Sequence, residues 1–139
     1  MFAKTQVYVL DSFAVLAYLD GEAAAEQVTG LLTQTQNGDC RLLLSLINLG
    51  EIMYIIERER GVNKTRQALA AIQQMPLEVL PIDQDEVFHA AHLKASYPIA
   101  YSDAFAAAAA QQYQAALVTG DREFESLNGI IPIEWLPRN

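Results

Sequence analysis

Apolar and polar positions along this chain follow two rhythms. Short runs rich in β-branched and aliphatic residues read as strands: "VYVL" (7–10), "RLLLS" (41–45), "LEVLPI" (77–82), "AALVT" (115–119) and "IIPIEW" (130–135). Between them the apolar residues recur at helical spacing. "SFAVLAYLD" predicts a helix from Ser12, whose hydroxyl suits an N-cap, to the break at Asp20-Gly21. A second helix is expected over about 22–34, ahead of the Asn37-Gly38-Asp39 turn. A long helix over about 46–60 is stopped by Gly61, and Asn63 is expected to cap the next, which ends near 74 before Pro76. Asp83, with Glu86 three residues on, forms a variant capping pair that opens a helix to about 95. "SYPIAY" reads as a loop. Ser102 then reads as the cap of a helix over 103–114, whose cluster Ala106 to Ala110 suits close packing against neighbours.

Strands that alternate with helices imply βαβ units and a largely parallel sheet covered on both faces. No repeat, low-complexity linker or internal boundary interrupts the pattern, so a single domain over 1–139 is expected. The chain is 52% hydrophobic, enough for a core. Its one cysteine, Cys40, rules out an internal disulfide and a cysteine-based zinc site. The start "MFAKTQVYVLDSF" lacks the features of a signal peptide, and a cytoplasmic location is expected. The longest uncharged stretch, 104–120, carries Gln111, Gln112, Tyr113 and Gln114 and reads as helix plus strand, with no membrane association. The formal net charge of −8 counts against broad electrostatic binding of nucleic acid. It is compatible with a cation in a carboxylate pocket or with a basic protein partner.

That charge directs attention to where the acids stand. Asp11 ends the first strand and Asp121 follows the fourth. In parallel α/β sheets ligands bind beyond the carboxyl ends of strands, so these two can share one crevice. Asp103 is in the first turn of a helix whose preceding loop should open on the same edge. Each acid alone has an ordinary explanation, as a helix-terminus or turn residue. Glu51 is harder to explain in that way. Within "LINLGEIMYIIERER" it falls on an apolar arc between Ile47 and Ile55, flanked by Asn48 and Tyr54. A carboxylate there is expected to be protonated, paired or metal-bound, with Arg58 two turns on as the salt-bridge option. Four converging carboxylates would repel one another. A hard divalent ion such as Mg²⁺ or Mn²⁺ resolves this, and it can also activate water against a phosphodiester.

The frames around these acids resemble a PIN domain of the kind found in the toxin subunits of VapBC-type toxin–antitoxin pairs. The likeness lies in "VYVLDSFAVLAYL" with Asp11, "SLINLGEIMY" with Glu51, "YSDAFAAAAA" with Asp103, and "LVTGDREF" with Thr119, Asp121 and Phe124. It implies a three-layer α/β/α sandwich with a four- or five-stranded, mainly parallel sheet. It also implies metal-dependent cleavage of an RNA substrate, leaving 5′-phosphate and 3′-hydroxyl ends. Asp11, Glu51, Asp103 and Asp121 would be the catalytic, metal-ligating acids. Ser12 and Thr119 match small hydroxyl positions that support such a site. Glu123 stands where some members carry a further acid. Asn48 stands where many carry Thr or Ser, and could bond a metal-bound water or its own helix. A cognate antitoxin and a homodimer are the implied partners.

Other features point less clearly to function. His89 and His92 share a helix face but lack a third zinc ligand, and read as a solvated or interface face. The basic segment "RERGVNKTR" (58–66) reads as a solvated helix end that could also touch RNA phosphates. Arg122, beside Asp121, is the better candidate for a scissile phosphate, with a salt bridge to Glu125 as the alternative. Tyr101 and Trp135 read as packing residues. A phosphoryl-transfer domain of the haloacid-dehalogenase or receiver type is disfavoured. The first needs a second Asp where Phe13 stands, and the second needs a Lys near 130–135. The alternative function is a non-catalytic binding module whose acidic pocket captures a basic partner peptide.

Overall fold

The computed structural model describes residues 5–138. The reading of the N-terminus rests partly on residues 1–4, which lie outside that range. Five strands form one wholly parallel sheet: β1 (Gln6–Leu10), β2 (Cys40–Ser45), β3 (Leu77–Leu80), β4 (Ala116–Thr119) and β5 (Ile133–Trp135), in the order β3-β2-β1-β4-β5. The helices are α1 (Ser12–Leu19), α2 (Ala25–Gln36), α3 (Leu46–Arg60), α4 (Val62–Gln74), α5 (Gln84–Ser96) and α6 (Tyr101–Gln112).

The register explains why the strand runs are apolar throughout. Val9 pairs with Leu43 and Leu117 and faces one core, together with α5 and α6. Leu10 pairs with Leu44 and Val118 and faces the other, beneath α1, α2, α3 and α4. Helices therefore cover both faces, and Leu42, Leu43 and Leu44 are all fully buried. Each such leucine contributes about 2–3 kcal/mol of burial. Helix α6 is buried from Asp103 to Ala110, and its alanines let it sit close to the sheet and to α5.

Helix starts depart from the sequence pattern in informative ways. Asp11, not Ser12, caps α1: its Oδ1 accepts from the Ala14 N–H at 2.8 Å. Ser12 lies inside the first turn, and its hydroxyl donates to the Asn48 carbonyl in α3 at 3.3 Å. The second helix starts at Ala25, after a turn through 22–24. Gly61, at φ +90°, turns the chain directly into α4 at Val62, so Asn63 lies inside that helix and does not cap it. Helix α6 begins at Tyr101 with Ala100 at its N-cap, which places Ser102 within the first turn. Asp83 caps α5 as expected, accepting from the Glu86 N–H at 2.9 Å. No helix among the described residues is long and apolar enough to cross a membrane.

Candidate metal centre

From the central strand β1 the chain builds outward to β2 and β3, then crosses to β4 and β5. The reversal of strand order therefore lies between β1 and β4, where a crevice opens beyond the strand ends. Asp11 leaves β1 at this edge and Asp121 lies two residues past β4. The register keeps the two strands together, and the Asp11 N–H donates to the Val118 carbonyl at 3.3 Å.

Thr119 joins the two acids. Its side chain is fully buried. The hydroxyl donates to Asp11 Oδ2 in a short hydrogen bond and accepts from the Asp121 N–H at 3.0 Å. Asp121 Oδ1 in turn accepts from the Glu123 N–H at 3.0 Å, capping a 3-10 turn over Arg122–Leu127. That turn folds Glu123 back over the crevice. Gly120 permits the tight path: a Cβ there would meet the Phe13 ring at 2.4 Å.

Across the crevice, α3 and α6 supply the other acids. An open cavity of about 280 Å³ is lined by Asp11, Glu51, Asp103, Asp121 and Glu123, with Ser12 and Ser102 among its other walls. Carboxylate oxygens of Asp103, Asp121 and Glu123 all lie within 4.8 Å of one another. Asp11 and Glu51 line the same cavity outside that tight trio. Burial pushes the Asp11 carboxyl up to about 7, against its hydrogen bonds from Thr119 and Ala14, and Asp121 and Glu51 add repulsion. Burial also pushes the Asp103 carboxyl up to about 8, reinforced by the charges of Asp11, Asp121, Glu51 and Glu123. Five acids thus share one electrostatic neighbourhood. The cavity wall offers oxygen donors from carboxylates and hydroxyls, a set that fits a hard divalent cation and not a thiophilic one.

The sequence carries a relationship consistent with this arrangement. A family model described as the PIN domain matches residues 8–130. The chain belongs to the PIN domain family. No curated protein matches it in sequence. Among solved structures, it is similar to the VapBC2 complex of Rickettsia felis bound to a fragment of its promoter DNA. That likeness has 19% identity and a TM-score of 0.73, covering 95% of this chain and 100% of the other. It is also similar to DNA-bound VapBC of Salmonella typhimurium, with 23% identity, a TM-score of 0.72 and coverage of 94% and 98%. VapC20 of Mycobacterium tuberculosis, described as a Sarcin-Ricin loop cleaving toxin, matches at 15% identity and a TM-score of 0.63, with coverage of 79% and 86%. At these identities the likeness shows a shared fold.

Several residues of this PIN domain sit differently from the sequence reading. Glu51 is paired, but with the Ser102 hydroxyl at 2.7 Å and not with Arg58. Arg58 lies over the Tyr54 ring and 3.9 Å from Glu59. Asn48 is fully buried. Its Nδ2 donates across to the Ser102 carbonyl of α6 at 3.1 Å and not within its own helix, and Oδ1 has no partner among the described residues. The Arg122 guanidinium lies 5.0 Å above the Trp135 ring and 3.4 Å from Glu125. His89 bonds Gln111 at 2.7 Å across α5 and α6. Ser102 is the residue that sequence reasoning passed over, because it read as a helix cap. The available signal was its adjacency to Asp103, which mirrors that of Ser12 to Asp11.

Proposed function

We propose that this PIN domain is a Mg²⁺- or Mn²⁺-dependent endoribonuclease, the toxin half of a cytoplasmic toxin–antitoxin pair. The observation that carries this reading is the convergence of five carboxylates on one open cavity at the strand-order reversal. Asp11, Glu51, Asp103 and Asp121, which line that cavity, would hold the ion, and Glu123, in the tight group with Asp103 and Asp121, would share in it. Bound there, a divalent ion supplies an acidified water as nucleophile and offsets the charge that develops on the phosphodiester. Thr119 fixes the Asp11 carboxylate and the Asp121 backbone relative to each other, so two walls of the site move as one. Ser12 and Asn48 tie α1, α3 and α6 together behind the acids. Arg122, half-exposed above Trp135, meets the scissile phosphate by leaving Glu125.

RNA is the substrate class favoured by the Mycobacterium tuberculosis relative, and an antitoxin partner by the VapBC complexes. Exposed Leu46, Tyr54, Phe88 and Tyr101 offer apolar surface for that partner or for a homodimer. Without metal, an acidic protein of net charge −8 should bind bulk RNA weakly.

The test is RNA cleavage with Mg²⁺ or Mn²⁺ by the wild type, Asp11→Asn and Asp103→Asn. Loss of activity in both variants is expected, and equal activity in all three would refute the assignment. Calorimetry separates the alternative: a protein that binds a basic peptide but no Mn²⁺ is a binding module and not a nuclease.

A further inference from the structure

Glu51 stands in the second turn of α3 with a long, flexible side chain, yet its orientation is specified from another helix. The Ser102 hydroxyl donates to Glu51 Oε2 at 2.7 Å, across 51 positions of sequence. Ser102 is itself held. Its backbone carbonyl accepts from Asn48 Nδ2 at 3.1 Å, and Asn48 lies one helical turn before Glu51. The Asn48 carbonyl accepts from the Ser12 hydroxyl at 3.3 Å. Three polar residues, each adjacent to an acid or one turn from it, thus link the starts of α1, α3 and α6. Asn48 is fully buried and spends its amide on this link while its Oδ1 stays unpartnered, a cost that a purely apolar contact between α3 and α6 would avoid.

We propose that Ser102 is a positioning residue, which, backed by Asn48, sets the rotamer of Glu51 at the wall of the carboxylate cavity. The inference rests on the metal-site reading above. Glu51 has three side-chain torsions to fix, and a single hydroxyl bond from a rigid helix removes most of that freedom before any ion arrives. The position of Ser102 in the first turn of α6, immediately before Asp103, couples the two acids: whatever places Asp103 also places the donor to Glu51.

The experiment measures Mn²⁺ binding by calorimetry, without reference to RNA cleavage. Ser102→Ala should weaken Mn²⁺ affinity about tenfold, at the low end for loss of a group that orients a ligand. Ser102→Thr keeps the hydroxyl and should recover most of that affinity. In a Glu51→Ala background, which removes the acceptor, Ser102→Ala should add little, because Ser102 acts through Glu51. Wild-type affinity in Ser102→Ala, or fully additive losses in the double variant, would overturn the proposal. If the wild type binds no Mn²⁺, the metal-site reading fails. The positioning claim is then decided by crystal structures of the metal-free wild type and Ser102→Ala, and an unchanged Glu51 rotamer would refute it.

Discussion

Asp103→Asn should stabilise the metal-free protein at alkaline pH while removing function. Asp103 is 8% exposed, and its carboxyl is pushed from an ordinary 3.8 to about 8 by burial and by four neighbouring acids. At about 1.4 kcal/mol per pKa unit, that rise corresponds to about 6 kcal/mol between the folded and unfolded states of the ionised group. The side chain faces an open cavity, so solvent screening reduces the recoverable part to about 1–3 kcal/mol. Between about pH 4 and pH 8 the native state retains a proton that the unfolded chain has released. Stability therefore falls as pH rises through that window. Asparagine is neutral throughout and nearly isosteric. Thermal unfolding in chelator at pH 5 and pH 8 would check this. The variant's advantage should be small at pH 5, near the start of that window, and reach about 3–10 °C at pH 8, on the size scaling of melting temperatures. If the proposed metal site holds, added Mn²⁺ should reverse the order by binding the wild-type native state preferentially. A variant no more stable than wild type at pH 8 in chelator would refute the electrostatic account of the cavity.

Other consequences follow from individual contacts. Thr119→Val removes the donor to Asp11 and the acceptor for the Asp121 N–H, and should cost about 1–3 kcal/mol by urea denaturation, with loss of Mn²⁺ affinity. Gly120→Ala sets a methyl 2.4 Å from the Phe13 ring and 3.2 Å from the Leu136 carbonyl, and should destabilise by about 1–3 kcal/mol in the same assay. Because Asp11 and Asp103 titrate near 7 and 8, Mn²⁺ bound as proposed would have to displace protons from them. Its affinity should rise between pH 6 and pH 8, roughly tenfold per pH unit for each proton displaced, and calorimetry in buffers of different ionisation enthalpy counts the protons.

The sequence by itself determined the alternation of strands and helices, because hydrophobic period, turn residues and caps are local signals. It also determined that Asp11 and Asp121 follow strands, and it carried the PIN resemblance through four framed acids. "LVTGDREF" was legible as a strand and a turn. Tertiary structure decided how the acids divide the cavity between them. Glu123 joins Asp103 and Asp121 in the tight group because Asp121 caps a 3-10 turn that brings it back, and no periodicity announces such a turn. Ser12 and Ser102 both read as caps from sequence, where a hydroxyl before a helix has one obvious use. In the fold both lie inside their helices and donate to partners on α3, while Asp11 and Ala100 stand at the N-cap positions. Local patterns record what a residue can do with its neighbours in the chain. The partners of Glu51, Asn48 and Thr119 lie 51, 54 and 108 positions away, and only packing the helices onto the sheet brings them within hydrogen-bonding distance.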